Sequence, residues 1–555
     1  MNAELNWRRK YGSVSYWIGH ESCRACLGVQ QVRNLASSHA MIAAAVLALL
    51  TSAVRPSGAQ SAVELAGLAV EIALPDGRHT FAAASGKDLG DFSGPGFAQR
   101  NVAVRDPKIP LTVFFRPDRD SGRIEVVFEW GDPFNPNPSH LPAYTAQITE
   151  NGKTLAAIKV PMHYWLSRWR WQSAPRPFIR SPKDLLAAKL VPPFAPIATQ
   201  PEIPPVKRYT IMGTSSITTY MPTTGERDDI GLMPEAYAEY LATDDSDALQ
   251  SVLSWAEASG TIPWHLRDPS TGAPISYDKY PNATTYDDQS KSGGPVLQML
   301  AAPGITIDAA HEPQLAYLPF LLTGDPYYLE ELEFAVTFSL GDYPGHGGII
   351  RHDQTREYAW TLRSLFYLIK ALPDRVPAWL LPKSYWQDKL ARNLAWIMSN
   401  YVNNPSPKTA VLRSGVDAER VPFWQEDYLA AVLGVGVWMG FIEWRPVFVW
   451  KIGSTIARTS GTSGWPRTSP TLYYANFKQP DGSVVTTWSD LAALNDVSTA
   501  SDDEIDPKVD ANYASFARGA LAMAAHVGIP EASAPFKWLD AQVRTKYLPW
   551  RWALQ

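Results

Sequence analysis

From about residue 230 onward, apolar residues recur with a helical period in paired segments, and this pairing constrains the fold more than any other feature of the chain. Residues 234–243 and 245–259 form one pair, and residues 312–323 and 325–340 form a second. The two align at an offset of eighty, with Leu241, Thr243, Asp245 and Leu249 matching Leu321, Thr323, Asp325 and Leu329. In the second pair the turn is spelled out. Gly324 suits the left-handed position after a helix, Asp325 caps the next one, and Pro326 sits in its first turn. Looser pairs follow: 355–371 with 384–401, 425–441 with 445–458, and 511–527 with 533–546. Long loops rich in Gly, Pro, Asp and Ser separate them, at 260–310, 341–354, 403–423 and 460–509. Loops of that length in a compact domain are usually functional. Short turns within pairs and long loops between them predict stacked helical hairpins.

The preceding residues have a different period. Leu111-Thr-Val-Phe-Phe115 and Arg123-Ile-Glu-Val-Val-Phe128 are short β-branched and aromatic runs bounded by turn residues. Residues 147–159 read as a hairpin, with Asn151-Gly152 supplying the positive φ angles of its turn. A small β-sandwich is expected over 60–160. Residues 161–210 read as a proline-dense connector. Its 163–180 half carries four arginines, three tryptophans and no acid. One reading makes it a lip that binds sugars or anions. The favoured reading makes it an arm that packs the β-domain onto its neighbour, with arginines stacked on tryptophans. The helical domain is then 211–555.

The first 59 residues read as a leader. The apolar run from His39 to Thr51 is too short to span a bilayer. With Arg33 before it and the small residues Ser57 and Ala59 after it, it fits a secretory signal over about 33–59, and hence a secreted or periplasmic protein. Cys23-Arg-Ala-Cys26, the only cysteines, fall in this leader and make half a zinc site at most. Neither metal nor cofactor is expected. The leader holds six Lys/Arg and two Asp/Glu of the chain's 50 and 55, leaving 44 against 53 beyond it. That acidic balance argues against a nucleic-acid partner. No membrane span is expected after the leader. The 21 tryptophans and 24 tyrosines can stack on sugar rings or fill a core. Serine-elbow, P-loop, zincin and dinucleotide motifs are missing from the sequence. Gly345-His-Gly-Gly348 and the acidic run Asp502-Asp-Glu504 read as loops.

The hairpin pattern and the Thr323-Gly-Asp-Pro326 turn resemble the α/α-toroid (six-hairpin) superfamily of glycoside hydrolases and polysaccharide lyases, over roughly residues 210–550. The resemblance implies a mainly α protein, an α/α toroid of helical hairpins preceded by the small β-sandwich. It also implies a polysaccharide or oligosaccharide substrate. Inner helices of a toroid start on one rim, where chemistry would gather. Glycoside hydrolysis needs two carboxylates on opposite faces of the bond. On this reading Asp229 is the base, Glu426 the acid with Asp427 beside it, and His311 a further catalytic residue. Trp264, His265, Arg267, Glu312, Arg356, Tyr358, Trp424 and Tyr513 would bind substrate. The alternatives are a lyase, with His311, Tyr358 and Arg267 or Arg356 eliminating across a uronate, and a non-catalytic carbohydrate-binding scaffold. The β-domain preceding the helices resembles hydrolase members more than lyases. Each acid also has a plain reading as a helix cap.

Overall fold

The computed structural model describes residues 65–94, 97–197, 206–223, 225–285, 294–300, 305–341, 348–350, 354–404, 409–412, 420–497, 505, 511–543 and 548–555. The leader, its cysteine pair, residues 345–347 and the acidic run at 502–504 lie outside them. Residues 60–555 form one compact unit.

Two antiparallel sheets open it. One has the order β2 (Gly77–Ala82), β1 (Leu68–Leu74), β7 (Tyr144–Glu150), β8 (Lys153–Val160). The other runs β3 (Lys87–Gly94), β4 (Phe97–Arg105), β5 (Leu111–Pro117), β6 (Ile124–Trp130), β9 (Ser167–Gln172). Asn151 and Gly152 both take positive φ in the β7–β8 turn, as a two-residue hairpin loop requires. Strand β9 comes from the segment expected to be a connector.

At β5 and β6 the five-stranded sheet is buried on both faces. Val126, Phe128, Trp130 and Trp169 make its apolar face. Phe128 stacks on Trp169 with centroids 4.0 Å apart, and the Trp169 indole donates to Tyr144 of β7. The opposite face carries Arg116, Glu125, Glu129, Arg168 and Arg170 in register. This charged face packs onto the helical residues. Arg168 bonds Glu331 at 2.5 Å and Glu330 at 2.9 Å, Arg116 bonds Glu330 at 2.6 Å, and Arg170 bonds Asp325 at 2.7 Å. Burying such charges is tolerable only because each has several partners of opposite sign. The arginines of the 163–180 segment therefore pack the two parts together, stacking on Tyr327 and not on tryptophans.

Helices α1 (Pro182–Ala187), α2 (Glu235–Thr243), α3 (Ser246–Ala258), α4 (Tyr317–Thr323) and α5 (Pro326–Leu340) come next. They are followed by α6 (Thr355–Ala371), α7 (Lys383–Ile397), α8 (Phe423–Trp438), α9 (Arg445–Ser460), α10 (Trp488–Leu494), α11 (Ala511–His526) and α12 (Ser533–Val543). The turn before α5 forms as its residues dictate: Gly324 is left-handed at φ 66° and the Asp325 side chain accepts from the Tyr327 amide.

The expected fold class is nevertheless corrected. The described residues are 40% helical and 19% strand, with 12 helices and 11 strands in three antiparallel sheets, so the protein is mixed α and β. No toroid is seen among them. The C-terminal turn Trp550–Trp552 packs on both α2 and α11. There Arg551 pairs with Glu235 at the start of α2, at 2.9 Å. Helix α4 is also shorter than expected, because Asp308 caps a separate 3-10 turn, Ala309–His311, ahead of it. The 403–423 and 460–509 loops add a third sheet, β10 (Arg420–Val421) with β11 (Ala475–Asn476). Beneath it Val421, Phe423, Trp465, Phe477 and Leu491 make a second, satellite core.

Candidate active site

The turn before α4 holds one histidine, His311, beside the charge of Arg356 at the start of α6, and Arg356 in turn meets Trp424 and, through it, Tyr513 at the starts of α8 and α11. Asp308 caps its 3-10 turn through Oδ1, which accepts from the Ala310 amide, and its Oδ2 takes a short hydrogen bond from His311 Nδ1. With the proton on Nδ1, Nε2 carries the lone pair. Nε2 is buried and has no hydrogen-bond partner among the described residues. Asp308 is the part of the pair that reaches solvent, its side chain being 27% exposed.

Arg356, in the first turn of α6, lies over the Trp424 ring, 5.4 Å from its centroid. Its backbone amide donates to Gln425, but its guanidinium forms no ion pair among the described residues, and its Nε is buried without a partner. A Cβ on Gly225 would stand 2.9 Å from Trp424 and 3.1 Å from Arg356, so a side chain there would crowd both. Trp424 stacks on Tyr513 at 5.5 Å, and its indole donates to the Tyr473 carbonyl. Tyr473 and Tyr220 are large, exposed rings, at 55% and 57%. Tyr473 is brought to Trp424 by the satellite module.

Electrostatics match this geometry. Burial pushes the His311 imidazole below its ordinary value; the Asp308 hydrogen bond opposes this, and the Arg356 and Arg227 charges reinforce it. The ring is therefore neutral near neutrality. Burial also lowers Arg356. Burial works to raise Asp308, yet the bond from His311 outweighs it and holds the carboxylate low.

The other expected residues lie elsewhere or are already engaged. Asp229 accepts from Arg227 Nε and the Thr218 amide, both at 2.9 Å. Glu426 is fully buried against Lys451, the Leu412 amide and Thr355. Asp427 is fully buried against Arg458 at 2.5 Å and Thr455 at 2.7 Å. These acids are internal ion pairs and do not flank an open cleft. Arg267 grips Glu129 and Glu330, and His265 bonds Glu331 and the Leu166 carbonyl, so both belong to the sheet–helix network. Trp264 is core beside Phe338. Tyr358 is core against Trp396. Glu312 bonds Ser339 and Ser364, and burial pushes its carboxyl up to about 7. The structure thus brings together His311, Arg356, Trp424 and Tyr513. It adds Asp308, Arg227 and Tyr473, for which only the Asp-x-x-His spacing was a sequence signal.

Among the described residues no cluster of His, Cys, Asp and Glu could hold a metal, and no helix is long and apolar enough to cross a membrane. No protein-family model, curated protein or solved structure matches the chain.

Proposed function

We propose that this protein cleaves a uronate-containing polysaccharide by β-elimination, with His311 as the base. The observation that carries this reading is the neutral imidazole whose Nδ1 is held by Asp308 and whose Nε2 has no partner among the described residues. Nε2 takes the proton on the carbon next to the substrate carboxylate. The electron pair becomes the new carbon–carbon double bond as the glycosidic C–O bond breaks, and water protonates the leaving oxygen. Arg356, a cation without a carboxylate partner among the described residues, neutralises the substrate carboxylate as charge builds on it. Tyr473, the exposed ring beside Trp424, offers its face to the sugars. Hydrolysis by two carboxylates has less support, because Asp229, Glu426 and Asp427 are all committed to cations.

Residues 60–555 should be incubated with uronate-containing and neutral polysaccharides, reading ultraviolet absorbance of an unsaturated uronate alongside new reducing ends. Both signals together, lost in His311→Gln, are expected. Reducing ends without absorbance would replace elimination with hydrolysis. Binding with neither signal would make this a carbohydrate-binding protein. We place the reaction outside the cytoplasm on the strength of residues 33–59. The N-terminal mass of the chain recovered from an exporting host tests that placement.

A further inference from the structure

We infer that Arg227 is the positioning residue of this site: one guanidinium grips the 218–229 loop and the His311 carbonyl together, and so fixes the imidazole against Asp308. The inference rests on His311 being the base.

The grip has four acceptors, three in the loop and the fourth at His311. Arg227 Nε donates to Asp229 Oδ1 at 2.9 Å, Nη1 to the Met221 carbonyl and to Thr223 Oγ1 at 3.3 Å, and Nη2 to the His311 carbonyl at 2.9 Å. Asp229 closes the loop by accepting from the Thr218 amide. The same loop also holds the far end of the histidine's segment. The Thr306 amide donates to the Thr219 carbonyl at 2.6 Å, and the Met221 amide to the Thr306 carbonyl at 2.9 Å. The stretch from Thr306 to His311, with Asp308 between, is therefore pinned at both ends to one loop, and Arg227 is the His311 pin. Its planar fork of fixed N–H directions makes this possible, and a lysine cannot reproduce it. The charged groups facing His311 are Asp308 from its own turn, Arg227 from the loop and Arg356 from α6.

The test follows the His311 Nδ1 proton by NMR in the full 60–555 protein labelled at histidine nitrogen, with His311→Gln identifying the signal. Arg227→Lys keeps the charge and loses the fork. The downfield signal of the Asp308 hydrogen bond is expected to broaden or vanish, and kcat to fall about 10²-fold with KM nearly unchanged, the scale of a misplaced catalytic group. Arg267→Lys, the same change in the buried sheet–helix network, is expected to leave that signal in place, which separates positioning from general loosening. A folded Arg227→Lys protein with the signal unchanged overturns the inference. If Arg227→Lys does not fold, Asp229→Ala, which removes the acceptor of the Nε arm, is read the same way: a lost signal supports the inference and an intact one overturns it. The signal does not depend on turnover. Its loss in a protein that cleaves no uronate would leave the positioning role standing and remove the β-elimination reading.

Discussion

Asp308 and His311 form a pair in which each member has a separable consequence. Asp308 sets the tautomer, and burial with two nearby arginines keeps the ring neutral. Replacing His311 by Gln or Asp308 by Asn is expected to lower kcat by about 10²–10⁴-fold, the range for loss of a positioned base, with the thermal midpoint little changed. The profile of kcat/KM against pH should rise on an acid limb whose midpoint lies below histidine's ordinary 6.5, and then stay flat through neutrality. An acid limb centred above that value would contradict the neutral dyad. At this scale the sequence was half legible. His311, Arg356, Trp424 and Tyr513 stand near helix starts, which is what drew them out of the sequence. Asp229, expected as a base, pairs with Arg227, and a carboxylate two residues from an arginine does not announce whether the two will pair. Tyr473 could not be found, since its place depends on how the satellite module folds under Trp424.

Helices α8 and α9 are joined by two buried ion pairs, Glu426 with Lys451 and Asp427 with Arg458. All four side chains are fully buried. Glu426→Gln is expected to destabilise the protein by about 3–5 kcal/mol, because it strands a buried ammonium, while activity per folded molecule persists. Denaturant melts and rates normalised to folded protein check both parts. A silent Glu426→Gln in the melt, or a selective loss of rate, would return Glu426 to the chemistry. The sequence held a hint that was passed over. Lys451 and Arg458 are seven apart and so share one face of α9, and a buried face with two cations demands two acids. The strands conceal their orientation in the same way. Ile124-Glu-Val-Val-Phe-Glu-Trp130 alternates as a half-exposed strand does, yet Glu125 and Glu129 are buried against arginines. Alternation says that two faces differ, not which one meets water.

Across the whole molecule, the charged face of the five-stranded sheet and the start of α5 share one buried network, so neither side is complete alone. Calorimetry should show a single unfolding transition for residues 60–555, and residues 60–175 expressed alone should fail to fold. Two separate transitions would contradict this. The network also sets opposing dependences on pH. Burial opposes the ionisation of Glu331, but Arg168 and His265 bring its carboxyl down to about 2. Its stabilisation is present above the ordinary carboxylate value and is lost as pH falls through the folded one. Burial instead pushes Glu333, bonded to the Trp386 indole, up to about 8. That contribution is full below the ordinary value and is lost as pH rises through about 8. Thermal midpoints taken from about pH 6 to 9 should fall for the wild type and stay flatter for Glu333→Gln, and parallel curves would refute the assignment.

By itself the sequence determined the strands of the 111–128 and 147–159 runs, the helix pairs and the turn before α5. Helical periodicity, an Asp cap and a left-handed glycine act within a few residues, and α6 spans the residues its pattern predicts, Thr355–Ala371. Only the tertiary structure decided which charges meet. Arg116 and Glu330 are 214 residues apart, and Lys451 and Glu426 are 25 apart on different helices. It also decided how the helical pairs meet, with the C-terminal turn Trp550–Trp552 packing on both α2 and α11. Pairing across such distances depends on how whole elements pack, and local propensity carries no record of it. The same packing leaves His311 Nε2 without a hydrogen-bond partner among the described residues, whereas Asp229, Glu426 and Asp427 each meet a buried cation.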